Sequence, residues 1–95
     1  MNEDDGGDLK ALRNEARVLR AYLAVLEDPL RFYSVLARGL NTTDLRNAVK
    51  GEFDFDDIQL DAALTVQARN FASDRVRTMR QQLTEVEAHL EERQA

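Results

Sequence analysis

Apolar residues recur near the start of the chain at Leu9, Leu12, Ala16, Leu19, Leu23 and Leu26, a 3-4-3-4-3 spacing. That spacing is the seam of a helix that lies along a partner helix. A second seam, Val76, Met79, Leu83, Val86 and Leu90, repeats 3-4-3-4 near the other end. Together they predict two arms, about 9–27 and about 73–92, that pair antiparallel as a coiled-coil hairpin. An arm of about 18 residues is about 27 Å long, and alone it is marginal in water. The chain between the arms must therefore add burial.

That middle segment divides into three short helices. Asp28-Pro29 supplies an N-cap followed by proline at the first helical position, and "LRFYSVLAR" carries the first helix to Gly39, a C′ residue. "NTTDLRNAVK" offers Thr42 or Thr43 as a cap and closes at Gly51. The third starts at Asp56 and runs to about Asn70, and Ser73 or Asp74 opens the return arm. The expected fold class is all-α, an antiparallel coiled-coil hairpin tipped by a globule of three short helices. A plain five-helix bundle is the competing arrangement. Residues 1–8, "MNEDDGGD", are acidic and lack apolar periodicity, so they read as a disordered tail before a single helical domain over 9–95.

Composition narrows this picture. Cysteine is absent, which excludes disulfides and thiolate metal sites. No apolar run approaches the roughly 18 residues of a membrane span, and no signal-peptide core follows Met1, so the expected location is the cytoplasm. Eighteen acids against thirteen bases leave a net charge of −5, the wrong sign for a chain that simply coats nucleic acid.

The densest candidate chemistry lies in "GEFDFDDIQLDAALTVQARNF", which carries Glu52, Asp54, Asp56, Asp57 and Asp61. A calcium loop of the EF-hand type needs glycine at its position 6 and glutamate at its position 12. Counting from Asp54 puts Gln59 and Thr65 there, and counting from Glu52 puts Asp57 and Ala63 there. A carboxylate pair for acid–base work needs a cleft that separates two pKa values, which one turn and one helix start do not build. The acids instead suit the start of a helix, with Asp56 as N-cap, Asp57 in the first turn, and Phe53 and Phe55 packing back as a staple does. His89 is the only histidine and stands among glutamates, so no metal or cofactor site is expected. Tyr22 and Tyr33 fall among apolar helix positions, where a packed ring is the ordinary outcome. No enzyme is expected.

Lys10, Arg13, Arg17 and Arg20 form a basic stripe at 3-4-3 spacing, one residue beyond the first seam. Glu85, Glu87, Glu91 and Glu92 on the return arm are its expected partners, with phosphate contact to DNA as the alternative.

The run "VLRAYLAVLEDPLRFYSVLARGLNTTDLRNAVKGEFDFDDIQLDAALTVQARNFA" resembles the C-gate region of the DNA gyrase and topoisomerase IV A subunits. In that family an arm ends in an apolar segment and an acidic turn, here "YLAVLEDP". A short helix and a Thr-x-Glu/Asp-type helix follow, here "VLARGLNTTDLRNAVKGEF". Then come a Phe-Gly-Leu-Ser-Glu-like helix start and an interface helix, here "FDFDD" and "IQLDAALTVQARNF". The likeness is continuous over residues 18–69. The family glycine after phenylalanine is Asp54 here, and Thr65, Val66, Gln67 and Ala68 replace the family's Asp-Met-Arg-Leu.

The resemblance implies a coiled-coil arm tipped by a helical globule that dimerises two-fold. It places the dimer interface on Ile58, Leu60, Asp61, Ala62, Leu64, Thr65 and Ala68. The family's catalytic tyrosine sits on a winged-helix domain with no counterpart in this sequence, and neither Tyr22 nor Tyr33 matches it, so strand cleavage is not implied. The expected function is a non-catalytic homodimerisation module. The alternatives are a regulatory partner of a gyrase or topoisomerase IV A subunit, or a small DNA-associated protein acting through the basic stripe.

Overall fold

The computed structural model describes residues 3–66 and 68–94, with side chains over 7–66 and 70–93. Among the described residues the chain is all-helical. Five α-helices run α1 (Glu3–Leu26), α2 (Pro29–Leu36), α3 (Thr42–Phe53), α4 (Asp57–Leu64) and α5 (Ser73–Gln94), with a 3-10 turn at Ala68–Phe71 before α5. Because α1 is already helical at Glu3, residues 3–8 belong to it rather than to the disordered tail expected there. Met1 and Asn2 lie outside the described residues.

α1 and α5 pack antiparallel. Arg20 bonds Glu87 at 2.8 Å, Arg93 reaches Asp8 at 3.2 Å and Arg80 pairs with Glu27, so positions ascend on one helix as they descend on the other. Between them lies one apolar cluster of Ala16, Leu19 and Val86, flanked by Leu12, Met79, Leu83 and Leu90. These are residues of the two predicted seams. The second cluster fills the tip, where Ala21 and Val25 of α1 meet Phe32 and Val35 of α2, Val49 of α3, Phe55, and Leu60 and Ala63 of α4.

The tip's boundaries differ from the sequence expectation for local reasons. α2 follows Asp28 and begins at Pro29 as expected, but the Asp28 side chain makes no capping bond. α2 ends at Leu36 with Ala37 as its C-cap, so Gly39 is not the helix stop. Gly39 serves close approach instead, since a Cβ there would stand 2.9 Å from Leu45 Cα. The cap of α3 is Asn41 rather than a threonine, its side chain accepting from the Asp44 amide at 2.9 Å. α3 also continues through Gly51 to Phe53 and closes on Asp54, whose φ of 57° and ψ of 46° are left-handed. Amides 54 and 55 then both return to the Lys50 carbonyl.

α4 stops at Leu64, short of the expected Asn70. The Thr65 amide and hydroxyl both bond the Ala62 carbonyl, at 3.1 and 2.8 Å, and the Val66 amide turns to Ala63 at 3.3 Å. The bonding has tightened to the three-residue register, which the adjacent β-branched Thr65 and Val66 favour over further α-helix.

Candidate functional site

Most of the acids between residues 52 and 61 are occupied by structure. Asp56 and Gln59 form a reciprocal capping box, the Gln59 amide donating to Asp56 at 2.8 Å and the Asp56 amide donating to the Gln59 side chain at 3.2 Å. Arg17 of α1 also donates to the Asp56 carboxylate, while the Gln59 side chain donates to the Arg17 carbonyl at 3.2 Å. The Gln59 amide, and after it Arg17, hold the Asp56 carboxyl below the usual carboxylate range. Lys50 bonds Asp57 at 2.7 Å and lowers its pKa, and Arg46 bonds Asp61 at 2.9 Å.

Glu52 takes Arg31 at 3.0 Å and Arg38 at 3.2 Å, which together lower its pKa. Arg31 also lies over the Phe53 ring, 4.5 Å from its centroid, and so clamps α2 to α3. Asp54 is the left-handed cap. Glu52, Asp56, Asp57 and Asp61 each tie one element to another. Among the described residues, no group of three or more His, Asp or Glu side chains is placed to hold a metal.

The basic stripe divides. Arg20 pairs with Glu87 across the arms as expected, whereas Arg17 points to the tip and Asp56. The described ion pairs do not include Lys10 or Arg13. Beside the Arg20–Glu87 pair lies an open groove lined by Thr84, Ala88, Leu90 and Glu91, a shallow trough rather than a cleft. His89 contacts Glu92 at 3.5 Å on the outer surface of α5.

The residues assigned to a dimer face separate as well. Leu60 is 2% exposed, and Ala62 and Ala63 are buried with it. Leu60 and Ala63 belong to the tip core beside Ala21 of α1, and Leu64 packs against the same core. Ala63 thus lets α4 lie close on the chain's own first helix, with Leu60 buried beside it. Asp61 faces outward but holds Arg46, Thr65 caps α4 with its hydroxyl, and Ile58 is exposed at the helix start. Ala68 falls in the 3-10 turn, and its side chain lies outside the described residues.

The exposed large apolar side chains gather mainly on α2 and the loop after it. Leu30 is 81% exposed, Tyr33 51% and Leu40 92%. Phe32 and Val35 turn into the core, so Leu30, Tyr33 and Ala37 come out on the opposite face at i, i+3 and i+7. Tyr33 is braced from beneath by Phe71, the rings stacked at 5.9 Å and 27°. The sequence holds the signal in "PLRFYSVL", an eight-residue helix with apolar side chains on both faces, too many for one core contact.

No helix among the described residues is long and apolar enough to cross a membrane. Comparison with protein-family models, with curated proteins and with solved structures gives no match to this chain.

Proposed function

We propose that this chain is a non-catalytic homodimerisation module, a helical hairpin that joins a second copy through its tip, as the C-gate resemblance implies. The observation that carries the reading is the exposure of Leu30, Tyr33 and Leu40 at one end of the hairpin. Exposed large apolar side chains on one helix face, here Leu30 and Tyr33, mark contact sites, and two-fold self-contact is the commonest oligomer geometry. The carboxylates of Glu52, Asp56, Asp57 and Asp61 are committed to capping and ion pairs. Direct DNA binding draws less support, because Arg17 and Arg20 are already engaged with Asp56 and Glu87.

The test is solution mass by light scattering. A dimer has twice the chain's 10.8 kDa, and dissociation on dilution gives its affinity. A protein that stays at the monomer mass up to about 100 μM, a free energy of about −5.5 kcal/mol, overturns the reading.

A further inference from the structure

We infer that the groove between the end of α1 and the start of α5 binds a small organic anion, an oxyanion carried on a ring-sized apolar body. The groove has a volume of about 350 Å³, within the usual range of ligand sites, and is open to solvent. The inference goes beyond self-association and does not depend on it.

α5 supplies Ser73, Val76, Arg77 and Arg80, spaced i, i+3, i+4 and i+7 and therefore on one stripe of the helix. That stripe sets one hydroxyl and two guanidiniums beside an apolar side chain. Leu26 of α1, 5% exposed, extends the apolar wall, and so does Phe71, whose ring is itself braced on Tyr33. Among the described residues, neither the Arg77 guanidinium nor the Ser73 hydroxyl has a hydrogen bond or an ion pair of its own. Arg80 pairs with Glu27, but the two side chains are 57% and 46% exposed. So exposed a pair is weak, and the five N–H groups of Arg80 leave donors for a second partner.

The local charge is opposite to that of the whole molecule. The groove sets two arginines against the single carboxylate of Glu27, in a chain of net charge −5. An oxyanion supplies the counter-charge that Arg77 lacks. Guanidinium forks match the oxygens of a phosphate or a carboxylate, Ser73 donates a further bond, and the wall of Leu26, Phe71 and Val76 takes the ring.

Titration of the isotope-labelled full chain with phenyl phosphate, followed by NMR, tests the assignment. Saturable shifts appear at the Phe71, Ser73, Val76 and Arg77 amides and are complete below about 10 mM. Inorganic phosphate and phenol each offer half of the ligand, and each binds at least about tenfold more weakly. Arg77→Gln, at an exposed position, weakens binding about fivefold or more. Glu27→Gln tightens it about twofold or more, because it frees Arg80 and removes the nearby negative charge, a gain that a folding defect does not produce. Arg13→Gln, outside the groove, leaves binding unchanged. An Arg77→Gln protein that binds like the parent, or inorganic phosphate that binds as tightly as phenyl phosphate, overturns the assignment. So do shifts confined to the Leu30 face of α2, or no saturable shift up to about 10 mM.

Discussion

Asp56→Ala removes the one side chain that both starts α4 and ties it to α1. Two contributions are lost. The carboxylate no longer accepts from the Gln59 amide, and an N-cap of this kind is worth about 1 kcal/mol. The ion pair with Arg17 also goes, but its partners are 40% and 37% exposed, so solvent screening holds its share to about 0–1 kcal/mol. The expected loss is therefore about 1–2 kcal/mol, which in a chain of this size lowers the melting temperature by about 4–16 °C.

Asp56→Asn separates the two contributions, because asparagine keeps the capping acceptor and drops the charge; it should lose less than half as much. The pH dependence follows from the direction of the shift. The folded carboxyl titrates below its unfolded value of 3.8, so its contribution is complete above that pH and disappears as pH falls through the folded pKa. Urea melts of the three proteins at neutral pH and at about pH 3 measure all of this. An alanine variant within about 0.3 kcal/mol of the parent, or an asparagine variant as damaged as the alanine one, refutes the capping argument.

Three further outcomes are expected. Asp54→Gly raises thermal stability by up to about 1 kcal/mol, because the φ of 57° suits glycine; a lower melting temperature would show that the aspartate side chain stabilises the turn. Gly39→Ala destabilises by about 1–3 kcal/mol, since the new Cβ meets Leu45 backbone at 2.9 Å, and a denaturant melt reads it directly. Leu60→Ala costs about 2–5 kcal/mol of monomer stability at every protein concentration; a loss seen only where the protein self-associates would put Leu60 back in an interface.

The arms were legible because their signal is long and redundant. Leu12, Ala16, Leu19, Met79, Leu83, Val86 and Leu90 each repeat the same periodicity, and they meet in one cluster. The tip was legible as three helices but not in its ends. Asn41, Thr42 and Thr43 are all competent caps by residue type, and the one used is Asn41. The stop after Leu64 depends on two consecutive β-branched residues whose helix penalty is small enough for tertiary context to override in either direction.

Part of the predicted dimer face is buried within the chain for a related reason. Small residues such as Ala62 and Ala63 report that some helix comes close, and periodicity does not say whether that helix belongs to the same chain. For Ala63 it is α1, through Ala21. Tyr33 rests one side of its ring on Phe71 and is half exposed, which fits a packed ring with a wet hydroxyl. Asp54 carries the opposite lesson. It is not glycine, yet it takes a left-handed conformation that glycine favours, which residue type alone does not announce.

α1 serves both apolar clusters, and it does so with adjoining residues. Leu19 belongs to the cluster between the arms, and Ala21 to the cluster at the tip. No hinge separates them, since the helix is unbroken from Glu3 to Leu26. Neither half can therefore melt without removing a wall from the other. The hairpin and its tip form one cooperative unit, in which damage far out on an arm is felt at the surface where a second copy would bind.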